Sequence, residues 1–346
     1  MNMNKNTIIG FVLIALVFIG FSWWNRPSEE DIRKQQIQDS IAQVNKQKLE
    51  SELAEKNKSE KENQQNTTQE AAKDSTALFY SALTGTNVPV ILKNSKLELT
   101  IGTKGGTVNK AVVKGFKDRN GNKDVILFDE KDQQMKFMLS GKEMNINTED
   151  LYFTPSEQTD STVTLTATTK NGQTLEMRYN LGEDYLLHFS IAAKGMETLF
   201  PPTYNSIDIH WTERCREQER GFTFENRYAT LTYKEKDSGT DYLNESKEYA
   251  DEKIEEALDW VAFKNQFFSS VIIAKDGFAS NSLMTSLPQS KETEYLKQYG
   301  AKLKTSFDPK GNTPTELEFF FGPNDFQLLQ TVEKKSKFNK ELDLER

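Results

Sequence analysis

Cysteine and histidine are nearly absent from this sequence, and their scarcity excludes several kinds of site. The 346 residues contain one cysteine, Cys215, so no disulfide can form within the chain. We expect Cys215 to be a small buried hydrophobic residue, with an interchain bridge as the lesser alternative. The two histidines, His188 and His210, are too few for a histidine-based metal site.

A concentrated face of positive charge is also missing. Lysine and arginine number 44 and aspartate and glutamate 52, which gives a formal net charge of -8 with both signs mixed along the chain. Nucleic acid is not expected as a partner, because binding phosphates requires clustered basic residues. The sequence has no nucleophile elbow, no Cys–His pair and no H-E-x-x-H motif. We therefore predict no enzymatic activity and no cofactor.

Three segments resemble ligand sites but lack essential parts. Residues 102–106 lack the Gly-Lys-Ser/Thr ending of a phosphate-binding loop, which favours a hairpin turn. Residues 118–124 carry oxygen ligands at calcium-like spacing, yet the glycine comes too early and the twelfth-position glutamate is missing. We interpret this segment as a polar hairpin tip. The acidic residues 245–259 are typical of a solvated loop with a helical turn.

The first apolar run, residues 8–24, contains no charge. A helix needs roughly 17–25 apolar residues to cross a bilayer, so this run is just long enough. Its end at Trp23 and Trp24 suits the headgroup layer, where indole rings are favoured. A cleaved signal peptide is the alternative, but no small-residue cleavage site follows. The predicted anchor residues are Ile8, Phe11, Leu13, Leu16, Phe18, Phe21, Trp23 and Trp24.

A charged tether follows the predicted membrane helix. Between Trp24 and Phe79 the sequence has no aromatic residue and no glycine, and it is rich in lysine, glutamate, glutamine and asparagine. Such a segment buries too little apolar surface to form a core. We predict helix to about Ala54 and a flexible spacer beyond it. Residues 37–53 offer a coiled-coil dimer as an alternative, although their apolar spacing breaks the heptad.

From about Val88 the apolar residues alternate with polar ones, as in strands with one buried face. The clearest runs are Leu97-Leu99-Ile101, Val163-Leu165-Ala167, Leu187-Phe189-Ile191, Ile207-Ile209-Trp211 and Leu317-Phe319-Phe321. Asn-Gly pairs, which supply the positive φ angles of tight hairpins, separate several of these runs. The sequence therefore predicts an all-β fold, a large antiparallel two-sheet sandwich, with His188 and His210 on the solvated faces of their strands.

Two short helices are expected within this β-rich region. The first is the highly charged segment 212–220. The second covers residues 324–345 after Gly322-Pro323, because proline is favoured at a helix start. Its more apolar side consists of four residues that we regard as candidates for partner contact or coupling: Phe326, Leu328, Leu329 and Val332.

Three stretches of this sequence resemble the YidC membrane protein insertase family. The first comprises residues 4–11 and 21–27, NKNTIIGF and FSWWNRP. The second comprises residues 97–106 and 108–113, LELTIGTKGG and VNKAVV. The third comprises residues 260–273 and 320–323, WVAFKNQFFSSVII and FFGP. Together they span nearly the whole chain.

The resemblance implies a periplasmic supersandwich, similar in architecture to galactose mutarotases, held to the bacterial inner membrane by the first helix. It also implies a cytoplasmic N-terminus, an orientation that the count of basic residues does not favour. The implied function is insertion, folding and assembly of inner-membrane proteins, alone or with the Sec translocon. The implied partners are the lipid bilayer, nascent inner-membrane proteins and Sec translocon subunits.

On this basis we divide the chain into an anchor (1–26), a linker (27–86), a periplasmic β-domain (87–322) and a C-terminal helical segment (323–346). The family continues with a bundle of transmembrane helices that forms a polar groove, so we interpret this sequence as a fragment and assign no groove residue.

Two other functions remain open. One is a periplasmic carbohydrate-binding or mutarotase-like protein, and the other is a membrane-anchored scaffold that oligomerises through residues 37–53.

Overall fold

Strands dominate the part of the chain that the structure describes. In this computed structural model the described residues are 78–344, except 143, 245–248, 339 and 343. The predicted membrane helix, its eight anchor residues and the tether up to residue 77 lie outside them. Every strand pair in the described part is antiparallel, which confirms the predicted all-β class.

The described strands form three hydrogen-bonded sheets, one more than the two predicted. The first sheet has the order β1-β2-β3-β4: β1 (Pro89–Lys93), β2 (Leu97–Gly102), β3 (Val108–Lys117) and β4 (Asp124–Phe128). The nine-stranded sheet contains β7 (Thr154–Ser156), β8 (Thr162–Thr168), β9 (Thr174–Leu181), β10 (Leu186–Lys194), β12 (Thr230–Glu235), β13 (Thr240–Tyr242), β15 (Leu258–Lys264), β16 (Phe268–Phe278) and β19 (Thr315–Pro323). The six-stranded sheet contains β5 (Gln133–Ser140), β6 (Asn145–Asn147), β11 (Ser206–Arg216), β14 (Ala250–Ile254), β17 (Ser282–Pro288) and β18 (Tyr295–Ser306).

The order of strands brings distant parts of the chain together. The nine-stranded sheet runs β13-β12-β15-β16-β19-β10-β9-β8-β7, and the six-stranded sheet runs β14-β17-β18-β11-β5-β6. Helices in the described part are short: α1 (Phe222–Tyr228), α2 (Phe326–Lys335) and single 3-10 turns at Tyr80–Ala82, Thr148–Asp150, Glu197–Leu199 and Lys291–Thr293. The strand β19 near the C-terminus thus lies between β10 and β16, at the centre of its sheet.

Aromatic side chains fill the space between the nine-stranded and six-stranded sheets. Phe263 of β15 stacks on Trp211 of β11 with ring centroids 3.8 Å apart, and Phe189 of β10 stacks on Phe137 of β5 at 5.2 Å. Each such pair stabilises by about 1 kcal/mol beyond the area that it buries. The first sheet joins the same core, since Phe128 of β4 contacts Phe321 of β19 edge-on at 5.5 Å.

The prediction of a helix over residues 212–220 is wrong. Residues up to Arg216 continue β11, which pairs with both β18 and β5, and the helix α1 starts only at Phe222. Along β11 the inward positions, from Ile207 to Cys215, are buried, while the charged residues between them point away from the core. A strand with one solvated face can carry charged side chains on that face. The many charged residues of segment 212–220 are what made its sequence resemble a helix. The expected burial of Cys215 is confirmed.

Two other local predictions have different outcomes. The segment 118–124 is a hairpin tip whose Asp118 carboxylate accepts a hydrogen bond from the Asn122 backbone N–H at 3.0 Å, with Gly121 at a φ of 74°. This confirms the polar-tip interpretation. The acidic stretch 245–259 differs from expectation, because its described part contains the edge strand β14 and the start of β15 rather than a helical turn.

Candidate functional site: the C-terminal segment on the nine-stranded sheet

The helix α2 starts and ends with favourable local chemistry. The Asp325 side chain accepts a hydrogen bond from the Leu328 backbone N–H at 2.9 Å and thereby caps the first turn. Lys334 and Lys335 lie in the last turn, where positive charge is favoured by the helix dipole. The helix ends at Lys335, so it covers less of the chain than the predicted 324–345. The described residues beyond Ser336 are not helical.

The four candidate coupling residues on α2 face different surroundings. Leu329 and Val332 are buried, and Leu328 is partly buried against the same core. Phe326 points outward with 53% of its surface exposed. The apolar side of α2 therefore attaches the helix to the domain, and Phe326 is the member of the set most available to a partner.

The surface under α2 is the outer face of the nine-stranded sheet. Strands β15, β16 and β19 are buried on both faces over most of their length. The strand register places Ala262, Val271 and Phe320 in one row on the face opposite Phe263 and the six-stranded sheet. This apolar row would be exposed if nothing covered it, and burial of each large side chain contributes about 1.5–3 kcal/mol.

Glu318 lies at the centre of this outer face and is fully buried. His188 Nδ1 lies 2.8 Å from its Oε1, the Ser336 hydroxyl donates a hydrogen bond to Oε2 at 2.5 Å, and the Lys337 backbone N–H donates to Oε1 at 2.9 Å. Burial alone would raise the pKa of Glu318, but these contacts outweigh burial and lower the pKa below its ordinary value. Glu318 therefore links strands β10 and β19 to the residues that follow α2.

The contact with Glu318 corrects the prediction that His188 is solvated. His188 does lie on the face opposite Leu187 and Phe189, as the alternation indicated. That face is covered by the C-terminal segment, so the exposed fraction of the His188 side chain is only 19%. The sequence pattern identified the correct face of the strand but could not show what covers it.

The residues after α2 cross back over the same sheet. The Trp260 indole N–H donates a hydrogen bond to the Glu341 backbone carbonyl at 2.7 Å, and Lys340 Nζ contacts Asp259 at 2.6 Å. Lys264 Nζ donates to the Leu344 carbonyl at 2.5 Å, while the side chains of Leu342 and Leu344 are buried. We call α2 and the described residues up to Leu344 the C-terminal strap.

A second buried carboxyl group lies between the sheets. Glu213 of β11 is 3% exposed and accepts a hydrogen bond from the Ser270 hydroxyl at 3.1 Å. Burial raises the pKa of Glu213 well above its ordinary value. Its Oε2 atom has no hydrogen-bond partner within the described part of the chain. Next to Glu213 the structure leaves room for about one water molecule.

The described residues show no arrangement typical of metal binding or of a membrane-crossing helix. In residues 78–344, with the gaps given above, three or more His, Cys, Asp or Glu side chains do not converge in a way that would hold a metal ion. Within the same residues, each helix is too short or too polar to cross a membrane.

The family model for the YidC periplasmic domain matches residues 90–344. This chain belongs to the YidC periplasmic domain family. The match begins in β1 and includes the whole strap, so the strap is part of the domain that the YidC family shares. The resemblance on which the sequence analysis relied is thereby confirmed.

Relatives named as membrane protein insertase YidC match almost the whole chain. The protein from Phocaeicola vulgatus is 46% identical over 345 residues, which cover 99% of this chain and 54% of the relative. The protein from Bacteroides fragilis is 39% identical over 335 residues, with coverage of 96% and 53%. The chain therefore spans about half the length of the curated relatives that it matches.

Two solved structures are similar to this chain at low identity. A galactose mutarotase-like protein from Lactobacillus casei has a TM-score of 0.45 and 12% identity, covering 68% of this chain and 100% of that one. A putative aldose 1-epimerase from Escherichia coli has a TM-score of 0.40 and 6% identity, with coverage of 69% and 100%.

Proposed function

We propose that this chain is the membrane-anchored, periplasmic part of an insertase that inserts, folds and assembles inner-membrane proteins. The observation that carries the proposal is the 46% identity to a membrane protein insertase across 99% of the chain. This chain contributes by anchoring and by protein binding rather than by chemical catalysis. Its partners are the bilayer, nascent inner-membrane proteins and, in an extension of the proposal, Sec translocon subunits.

The proposal includes the location and the division of the chain. Residues 8–24 cross the inner membrane once, with the N-terminus in the cytoplasm, and residues 27–86 link them to a galactose-mutarotase-like supersandwich in the periplasm. The relatives' name and the match to a periplasmic domain support this arrangement. The strap, with Phe326 at its exposed start, acts as the element that couples the domain to the rest of the insertase.

The environment of His188 does not favour the carbohydrate-binding alternative. Such a site needs histidines and acids that converge on an open concave face. His188 instead contacts the fully buried Glu318 under the strap. Both side chains are therefore engaged in holding the fold together.

A chimeric insertase tests the proposal. This chain replaces the matching half of the Phocaeicola vulgatus insertase in a host depleted of its own insertase, and growth and the insertion of a reporter membrane protein are measured. We expect both to be restored. The matched control expresses the remaining half of that insertase without this chain and should fail, because the first anchor and the periplasmic domain are then missing. Absence of insertion by an intact, membrane-bound chimera would refute the proposed function.

A further inference from the structure

Exposed aromatic side chains cluster at one end of the sandwich, where β15 turns into β16 through residues 265–267. Phe267 lies in this turn with 37% of its surface exposed. Its backbone carbonyl accepts a hydrogen bond from the Asn324 N–H at 2.7 Å, which places Phe326 two residues away. Phe116 reaches the same turn, because its ring contacts the ring of Phe268 edge-on at 5.5 Å.

The helix α1 adds two more aromatic rings to this end. Tyr228 lies two residues before Thr230 of β12, which pairs with Lys264 at the start of the same turn. The ring of Phe224, one turn earlier in α1, contacts Tyr228 with centroids 5.3 Å apart. The exposed fractions are 56% for Phe224 and 47% for Tyr228. We define the aromatic end as Phe116, Phe224, Tyr228, Phe267 and Phe326.

The clustering is not a general property of the surface. In the described part of the chain, all four exposed phenylalanines belong to the aromatic end. The exposed large apolar residues elsewhere are Tyr80, Val88, Ile91, Met144 and Tyr242. Exposed apolar side chains that gather in one region of a protein mark an interaction surface, whereas single exposed apolar residues are ordinary.

Charged side chains of both signs surround these rings. Arg220, just before α1, and Arg227, within it, are exposed, as are the carboxylates of Glu219 and Asp325. Rings with adjacent arginines suit the headgroup layer of a bilayer, where the rings insert and the guanidinium groups meet lipid phosphates.

The course of the chain agrees with a membrane-facing aromatic end. Leu344, the last described residue, is bound to Lys264 beside the turn and thus lies at this end of the sandwich. The first described residue, Leu78, is bound to Lys170 in the turn between β8 and β9, at the opposite end of the strands. The 53 residues between Trp24 and Leu78 can extend to at most about 180 Å, so the tether permits either end to face the bilayer.

We infer that the aromatic end of the sandwich inserts its rings into the headgroup layer of the lipid bilayer and so fixes the orientation of the domain on the membrane. This inference rests on the proposed membrane anchoring, because a domain that is not tethered would not be held near the bilayer. It adds a second membrane contact that is independent of residues 8–24.

Site-specific fluorescence in reconstituted vesicles tests the inference. The full chain, in a Cys215→Ala background, carries a single nitrobenzoxadiazole label at Phe267→Cys and is reconstituted into phosphatidylcholine–phosphatidylglycerol vesicles that contain headgroup-region spin-labelled lipid. Tyr80→Cys at the opposite end is the matched control, since Tyr80 is also exposed. We expect roughly threefold stronger quenching at position 267 than at position 80, because aromatic groups of the belt lie at headgroup depth.

The possible outcomes separate the two proposals. Failure of the chain to float with the vesicles would refute the anchoring and, with it, this inference. Equal quenching at positions 267 and 80 in a vesicle-bound chain would refute the inference alone. A label at 267 that is shielded from water but not quenched by the lipid would show a protein surface over the aromatic end and would also refute it. Phe224→Ser together with Phe326→Ser should reduce the quenching at 267 to the control level.

Discussion

Two buried glutamates show how residue environment sets charge in this domain. Glu318 is ionised because His188, Ser336 and the Lys337 backbone N–H surround it on the outer face of the sheet. The pKa of Glu213 is raised instead, because this group is buried between the sheets with one hydroxyl as its donor. The same side chain therefore produces opposite dependences of stability on pH at two positions of one domain.

Glu318→Gln should destabilise the domain by about 3 kcal/mol at pH 7, because it removes the charged partner of a buried cluster. The pKa of Glu318 is lower in the folded state than in the unfolded chain, so its contribution is present above about pH 4.5 and is lost as the pH falls through the folded-state pKa. Urea unfolding at pH 7 and pH 4 measures the difference, which should shrink at pH 4. Glu316→Gln, two residues away on the same face, is the control and should cost less than about 1 kcal/mol.

Glu213→Gln should have the opposite effect. The pKa of Glu213 is raised in the folded state, so its contribution is present below about pH 4.5 and is lost as the pH rises toward the folded-state pKa. Glutamine stays neutral at every pH, so the variant avoids the cost of ionising a buried carboxyl group. At high pH this cost lowers the stability of the wild type by about 1.4 kcal/mol for each unit by which the pKa is raised. Thermal unfolding should therefore show a variant that gains stability over the wild type between pH 5 and pH 8. A constant difference across this range would contradict the assignment.

At the level of elements, the strap explains why the central strands are buried on both faces. The alternation in the sequence predicts one buried face for each strand, which holds for β11. In β15 every residue is buried, and residues that follow α2 contact its outer face. The strap thus has the packing role that a third layer has in larger sandwiches.

Leu329→Ala should destabilise the domain by about 2–4 kcal/mol, because it leaves a cavity under the strap. Leu329 is fully buried, whereas Phe326 on the same helix is 53% exposed. Phe326→Ala is therefore the matched control, and its effect on folding should stay within about 0.5 kcal/mol. Urea unfolding monitored by tryptophan fluorescence measures both, since Trp260 donates its indole N–H to the strap. Similar effects of the two substitutions would show that the strap does not pack as described.

At the level of the whole molecule, the proposed function depends on a domain held at the outer side of the membrane. The family match covers residues 90–344, and the aromatic end lies at the same end of the sandwich as Leu344. Both features are consistent with a binding module whose position relative to the bilayer matters more than any chemistry within it.

Protease protection tests this arrangement. In spheroplasts of cells that express the chain with an N-terminal tag, added protease should digest the sandwich and leave a short, tagged, membrane-bound fragment, since the proposed function places residues 8–24 across the membrane once with the N-terminus inside. An intact cytoplasmic marker protein is the control. Recovery of the whole domain in the soluble periplasmic fraction would contradict an uncleaved anchor.

The sequence by itself determined the fold class, the inward faces of the strands and the family. Alternation at Leu187, Phe189 and Ile191 identified the buried face of β10, and glycine at position 121 marked a hairpin. These features depend on residues near one another in the chain, which is why a local pattern reveals them.

Only the tertiary structure decided what covers each face and which charges meet. The charged end of β11 has the composition of a helix, but its pairing with β5 and β18 makes it a strand. Glu318 contacts His188, 130 residues earlier in the chain, and the aromatic end combines β3, α1, the β15–β16 turn and α2. Contacts between such distant positions leave no periodic signal in one sequence, because they arise from the order of strands in the sheets.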